Sequence, residues 1–313
     1  MTAMALVPGD AHPQLAQAVA ALLREPLVPT LISAFADGET RIRIEAEVRD
    51  ADVYILQPTS TPTNERLMTL ALLAEAARAA GAARITAVVP YFGYARQDVR
   101  GNEGEPRSAQ LAARVLRCAG IERLVTLELH TPALESAFEM PLVHLQADGL
   151  MLPAIRNRNL PHLTIVSPDA GGLRRAQRYA TALAAPLAVV VKTRPGADVA
   201  VALQVLGEVR GRVCLIVDDM ASTGGTIAGA AQALLEAGAA EVHALFIHAV
   251  MAPSALERIC AASVRTVTTT DSVATAPDAR VQLVSIAPLI AQTLARLARR
   301  PAIRSEATHV QES

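Results

Sequence analysis

The stretch Val213-Cys214-Leu215-Ile216-Val217-Asp218-Asp219-Met220-Ala221-Ser222-Thr223-Gly224-Gly225-Thr226 joins an apolar run to a helix-like segment, Ile227 to Leu235. A continuous apolar run bounded by turn residues reads as a strand buried on both faces. Here it runs into two adjacent carboxylates and then a Ser/Thr/Gly loop at the mouth of a helix. Backbone N–H groups of such a loop point outward with partial positive charge, which suits a phosphate. The Thr223 and Thr226 hydroxyls add donors to the same oxyanion. Asp218 and Asp219 can accept from vicinal hydroxyls or hold a hydrated Mg²⁺. A phosphate grip beside a diol grip suits a 5-phosphoribosyl group. Both carboxylates stand at the carboxyl end of a strand, where open α/β sheets bind ligands; a capped turn with solvated aspartates leaves that placement unexplained.

Outward from this stretch the same alternation recurs. Strands are expected at Val53–Leu56, Ile85–Val89, Leu124–Leu127, Thr164–Val166, Ala188–Val191, Val213–Val217 and His243–Ile247. Helices are expected at Gln14–Leu23, Glu65–Ala79, Ser108–Cys118, Leu173–Leu183, Ile227–Ala237 and Pro288–Leu297. Apolar strands separated by helices imply an α/β fold whose mostly parallel sheet is covered on both faces. An internal echo organises the chain. Leu116 to His130 aligns without gaps on Leu234 to His248, sharing a helix end, an Ala-Gly stop, a strand and a terminal His. Two similar α/β domains in tandem are expected, residues 1–147 and 148–286. A C-terminal helix at about 287–300 is expected to pack on the first of them, with a polar tail at 301–313.

Composition narrows the function classes. The 313 residues suffice for two ordinary domains, and 51% are apolar. A formal net charge of −1 offers no basic excess for a nucleic-acid backbone, and four Phe, four Tyr and no Trp leave little for base stacking. Cys118, Cys214 and Cys260 are dispersed, odd in number and free of any CxxC pair, as expected of a reducing cytosol. No basic region followed by an apolar core opens the chain, so no secretory signal is expected. The longest greasy run, Ala182 to Val191, contains Pro186 and is about half of a bilayer span. The expectation is a soluble cytoplasmic protein that binds neither nucleic acid nor membrane.

Four further segments fall where strands should end. Phe35-Ala36-Asp37-Gly38-Glu39 offers carboxylates on a tight turn, and Pro90-Tyr91-Phe92-Gly93-Tyr94-Ala95-Arg96-Gln97-Asp98 ends in an Arg-Gln-Asp triplet. Ser167-Pro168-Asp169-Ala170-Gly171-Gly172 is a second carboxylate-Gly loop opening a helix. Lys192-Thr193-Arg194 precedes Pro195-Gly196-Ala197-Asp198. In order and spacing, from Pro8-Gly9-Asp10 to about Arg299, these strings resemble the ribose-phosphate diphosphokinase (phosphoribosyl pyrophosphate synthetase) family.

The resemblance implies two tandem type I phosphoribosyltransferase-like domains. It also implies transfer of the diphosphoryl group of Mg-ATP to the 1-hydroxyl of ribose 5-phosphate, giving phosphoribosyl diphosphate and AMP. By the same resemblance Asp218 and Asp219 hold the ribose hydroxyls, and Ser222, Thr223, Gly224, Gly225 and Thr226 form the 5-phosphate loop. Arg96, Gln97 and Asp98 bind ATP. Phe35, Asp37 and Glu39 reach ATP bound to a neighbouring subunit, which implies a homo-oligomer with a shared active site. His130 and Asp169 take the Mg-ATP positions, and Lys192 and Arg194 form a catalytic basic pair. Phosphoryl transfer asks for such residues independently, since it needs positioning and charge neutralisation more than covalent help.

Departures from the family pattern qualify the reading. Ser222 stands where many members have Asp, Gly224 where many have Ala, Glu128 for an Asp, and Thr193 for a basic residue. None removes a phosphate donor or a flanking charge. The segment Thr131 to Phe138 lacks the Gln-rich, Gly-Phe-Phe string of many bacterial members, so weak or absent allosteric control by ADP is expected. A catalytically weak regulatory paralogue and a phosphoribosyltransferase are the alternatives. Lys192, Arg194, Asp169 and the full phosphate loop disfavour the first, and the Arg96-Gln97-Asp98 triplet with the second domain disfavours the other.

Overall fold

Apolar runs and helical stripes alternate along the chain and assemble into two large sheets and a separate two-stranded hairpin among the described residues. The computed structural model describes residues 3–98, 102–193 and 202–298. The first part comprises β1 (Met4–Pro8), α1 (Pro13–Leu23), β2 (Thr30–Ala34), β3 (Thr40–Ile44), β4 (Asp52–Leu56), α2 (Thr63–Ala79), β5 (Arg84–Val89), α3 (Ser108–Cys118), β6 (Arg123–Leu127) and β7 (Leu142–Leu145). A 3₁₀ turn at Pro132–Ala137 separates the last two strands. The second comprises α4 (Asp148–Arg156), β8 (Leu163–Ser167), α5 (Leu173–Leu183), β9 (Leu187–Thr193), β10 (Ala202–Leu206), β11 (Val213–Ala221), α6 (Gly225–Glu236), β12 (Glu241–Ala249), α7 (Ala255–Ala261), β13 (Val264–Thr270), β14 (Val281–Val284) and α8 (Ala287–Ala298).

The first sheet has the order β1-β4-β5-β6-β7 and is parallel throughout. The second has the order β10-β9-β8-β11-β12-β13-β14, parallel except where β10 returns against β9. Only in the second does the winding reverse: successive strands run one way from β8 and the other way from β11. Two neighbouring strands whose outgoing loops part company leave a crevice between them at their carboxyl ends.

Strand residues alternate between faces, and the cores follow. On one face of the first sheet Val7, Val53, Ile55, Ala87 and Val89 pack under α2 and α3. On the other, Leu6, Leu56, Val88 and Val125 share a core with α1 and α8 that continues through Tyr179 of α5 to Leu215, Val217, Leu245 and Ile247 of the second sheet. The second sheet's outer face packs Cys214, Ile216, Ala244 and Phe246 under α6 and α7. Helix α8 lies against α1, burying Ile290 and Leu294. No helix among the described residues is long and apolar enough to cross a membrane.

Each strand and helix expected from the pattern is present, several with shifted ends. Strand β11 needs correction: it does not stop at Val217 but runs through Asp218 and Asp219 to Ala221, because β12 pairs with it along that length. A polar pair in mid-strand reads as a strand end when the partner strand is unknown. Short edge strands such as β7 and β14, the β2–β3 hairpin and the short helix α7 escaped the pattern, being too brief to show a period. The internal echo maps onto real equivalents: α3 and α6 each end in a glycine at φ +93°, Gly120 and Gly238, ahead of β6 and β12. A residue with a Cβ resists that left-handed turn, so Gly serves as the helix stop.

Candidate active site

The crevice between β8 and β11 opens into a cleft of about 340 Å³. Its floor is the end of β11, one wall is the loop after β8, and α6 points its N-terminus into it. Arg96 and His130 enter from the loops that follow β5 and β6 of the other sheet. Residues read separately in the sequence thus converge: Arg96, His130, Asp169, Asp218, Asp219 and Ser222 to Thr226 all line the cleft.

The loop before α6 is shaped by what lies behind it. Gly224 has φ +75°, and a Cβ there would stand 2.7 Å from the carbonyl oxygen of Ala255 and 3.0 Å from Ile259. Helix α7 therefore packs against bare backbone, and Arg258 donates to the Thr223 carbonyl from the same side at 3.0 Å. Thr223 and Thr226 are exposed. The N-cap of α6 is Gly224, which brings no capping side chain, and the Gly225 N–H reaches the Thr223 hydroxyl at a long 3.4 Å. Unsatisfied N–H groups at a helix start that face solvent suit an oxyanion.

The carboxylates differ sharply from each other. Asp219 is buried, and His130 Nδ1 donates to its Oδ2 at 2.6 Å. Asp218 is partly buried, and its Oδ1 accepts from the Asp219 N–H at 2.8 Å. Burial and the neighbouring Asp219 charge push the Asp218 carboxyl well above the ordinary range. Burial also pushes on Asp219, but the His130 hydrogen bond and the Arg175 charge outweigh it and hold this carboxyl low. The bond to Asp219 raises His130 against the pull of burial. One site with two carboxylates keeps one ionised and makes the other slow to ionise.

Around this pair the other residues divide. Asp169 is exposed, and its Oδ1 accepts from the Gly172 N–H at 3.0 Å, which sets the carboxylate at the start of α5. Gln97 accepts from the Ser108 hydroxyl at 2.6 Å and Asp98 from the Thr131 hydroxyl at 2.6 Å, so the triplet is tied to α3 and to the residue after His130. Phe35, Asp37 and Glu39 do not line this cleft. They sit exposed at the tip of the β2–β3 hairpin, where Arg41 stacks over Phe35 at 5.8 Å and Asp37 accepts from the Glu39 N–H. Lys192 belongs to β9 by its backbone, and Arg194 lies outside the described residues. His248, the repeat partner of His130, is buried. Its Nε2 lies 3.1 Å from the Leu127 carbonyl and 3.2 Å from that of Glu128, and its Nδ1 lies 2.8 Å from the Ser272 hydroxyl. Burial pulls its pKa down to about 4, which suits a neutral ring tying the two sheets together.

Sequence reasoning missed Arg175. Helix α5 buries Arg175, Ala176, Tyr179 and Ala180, the spacing of one helical stripe. Arg175 therefore occupies a core position, and an arginine on an apolar stripe was the available signal. Glu128, which stands for an Asp in the family pattern, is buried, accepting from the Ala147 N–H and from Arg178 at 3.1 Å each. Among the described residues no group of three or more His, Cys, Asp or Glu side chains could hold a metal ion. Asp169 and His130 offer one carboxylate and one imidazole on a shared cleft. That sparse donor set fits Mg²⁺ that keeps water and substrate phosphates as its other ligands.

Comparisons with known proteins identify the family. A family model described as the N-terminal domain of ribose phosphate pyrophosphokinase matches residues 4–120, and one described as a phosphoribosyl transferase domain matches 139–280. The chain is 40% identical over 307 residues to the ribose-phosphate pyrophosphokinase of Burkholderia pseudomallei, covering 95% of each. It is 43% identical over 300 residues to that of Maricaulis maris, covering 94% of this chain and 97% of the relative. The crystal structure of phosphoribosylpyrophosphate synthetase from Mycobacterium smegmatis superposes with a TM-score of 0.90 at 35% identity, over 95% of this chain and 99% of that one. With two matched domains and relatives of this identity along nearly its whole length, the chain belongs to the ribose-phosphate pyrophosphokinase family.

Proposed function

We propose that this cleft joins ribose 5-phosphate and Mg-ATP and transfers the diphosphoryl group between them, as a ribose-phosphate diphosphokinase does. The observation that carries the proposal is the meeting, at the β8/β11 switch point, of the uncapped α6 loop with the Asp218–Asp219 pair and with Arg96, His130 and Asp169. The 5-phosphate sits on the N–H groups and hydroxyls of Ser222 to Thr226. Asp218 and Asp219 receive the ribose 2- and 3-hydroxyls. Arg96, Gln97 and Asp98 hold the nucleotide from the first sheet. His130 and Asp169 hold Mg²⁺, which neutralises phosphate charge when bound.

The sugar 1-hydroxyl forms a bond to the β-phosphorus of ATP and releases its proton to solvent, while the bond from that phosphorus to the α,β-bridging oxygen breaks and AMP leaves with that oxygen. Lys192 and Arg194 offset the charge that develops on the transferred and departing groups. The exposed hairpin tip carrying Phe35, Asp37 and Glu39 supports a site completed by a neighbouring subunit, so the working form is a homo-oligomer. A division into two domains at residues 147–148, between β7 and α4, belongs to the same reading.

AMP formation from ATP tests the proposal. Release that requires ribose 5-phosphate, and that collapses in Lys192→Ala, is expected. Base-dependent release of diphosphate from phosphoribosyl diphosphate, without sugar-dependent AMP, would move the assignment to a phosphoribosyltransferase.

A further inference from the structure

We propose that Arg175 is a positioning residue for the sugar-binding carboxylates, an assignment that rests on the reading of the cleft given above. The residue is 9% exposed, on the buried stripe of α5, and it lines the cleft. Nη1 stands 3.7 Å from Asp218 Oδ1 and 3.6 Å from Asp219 Oδ1, and Nε stands 3.9 Å from Glu128 Oε2. One cation thus faces three carboxylates delivered by both sheets. Adjacent carboxyl groups in a confined site ionise at each other's expense, and a fixed positive charge beside them favours the ionised form and sets which way both oxygens lie.

The surroundings hold Arg175 in register from below. Glu128 receives the Ala147 N–H and Arg178, and Arg178 Nε donates to Asp148 at 2.8 Å. This brace spans the junction of the two sheets, because Glu128 follows β6 while Arg175 and Arg178 share one face of α5. Above the brace, the geometry is less closed. The three carboxylate contacts of Arg175 exceed hydrogen-bonding reach, and among the described residues its buried Nε has no hydrogen-bond partner. A buried donor left without a partner is costly. A small shift of α5 or of the β11 end toward hydrogen-bonding distance would satisfy it, and sugar binding at Asp218 and Asp219 supplies the occasion for that shift. Arg175 accordingly acts through the two aspartates. Lysine at this position keeps the charge but loses the planar fork that reaches several carboxylates together.

The test is a double-mutant cycle on the full-length enzyme, with Arg175→Gln, Arg175→Lys, Asp219→Asn and the Arg175→Gln/Asp219→Asn pair. The readouts are KM for ribose 5-phosphate, KM for ATP, kcat and melting temperature. Arg175→Gln is expected to raise KM for ribose 5-phosphate by about tenfold or more with KM for ATP within about twofold, and the pair is expected to be no worse than Asp219→Asn alone. Arg175→Lys should fall between wild type and Arg175→Gln, and it carries the KM split by itself should the glutamine variant not fold. Equal changes in both KM values, or effects that multiply in the pair, would overturn the proposal and leave Arg175 a structural cation for Glu128. An Asp219→Asn enzyme with unchanged KM for ribose 5-phosphate would instead sink the reading of the cleft itself, whatever Arg175 does.

Discussion

His130 and His248 stand at equivalent points of the internal repeat and end in different surroundings. His130 is at the cleft with a carboxylate partner, which raises its pKa; His248 is buried against backbone carbonyls, and burial lowers its pKa to about 4. The sign of the pH effect follows. A histidine whose folded pKa is depressed contributes stability that is full above the unfolded value near 6.5 and is lost as pH falls toward 4, since the unfolded chain takes up the proton first. That fall is worth roughly 3 kcal/mol for the fully buried ring. His248→Gln is therefore expected to lose stability at pH 7.5 and to show a smaller decline than wild type between pH 7 and 5, read by urea denaturation at each pH. A parallel decline in both proteins would remove His248 as the source. Gly224 makes the second residue-scale case. Gly224→Ala places a Cβ against the Ala255 carbonyl at positive φ, which should cost about 1–3 kcal/mol. Because the strain falls on the proposed phosphate loop, KM for ribose 5-phosphate should rise more than KM for ATP. A variant with wild-type melting temperature and kinetics would contradict both points.

Among elements, α8 is the clearest example of a helix whose stability comes from packing on a distant part of the chain. It closes the core over α1, with Ile290 and Leu294 buried among residues of both sheets. Leu294→Ala removes three buried carbons at a site with no exposure, and a loss of about 2–5 kcal/mol is expected. Equilibrium denaturation gives the value, and a loss under about 1 kcal/mol would mean that α8 is not part of the shared core. Helix α5 shows the complementary case. Its apolar stripe fixes its place on the sheet, and the same stripe carries Arg175 into the proposed site.

For the molecule as a whole, the exposed β2–β3 tip and the cleft lie apart within one chain, and that separation makes a mixing experiment decisive. Phe35 is 51% exposed, so Phe35→Ala should leave stability within about 0.5 kcal/mol of wild type while weakening ATP use. Mixed oligomers of Phe35→Ala and Lys192→Ala subunits are expected to be more active than either variant alone, since some sites then combine an intact tip with an intact Lys192. Mixtures no more active than the average of the two would rule out a site shared between subunits.

What the sequence determined by itself was local. Alternating apolar runs and helical stripes fixed the α/β class, the glycine stops fixed the repeat, and Asp218 to Thr226 announced a Ser/Thr/Gly loop beside two carboxylates, because each depends on neighbours a few residues apart. Tertiary structure decided the rest. The separation of 89 positions along the chain from His130 to Asp219 gives no hint that their side chains meet at 2.6 Å. The extension of β11 through both aspartates depends on β12, the cleft depends on the reversal of strand order at β8, and Arg175 gains its meaning only from three carboxylates brought to it by two sheets. Pattern along a chain encodes which face of an element is buried. Which charged groups then share that burial is set by the order and pairing of strands, a property of the assembled sheets.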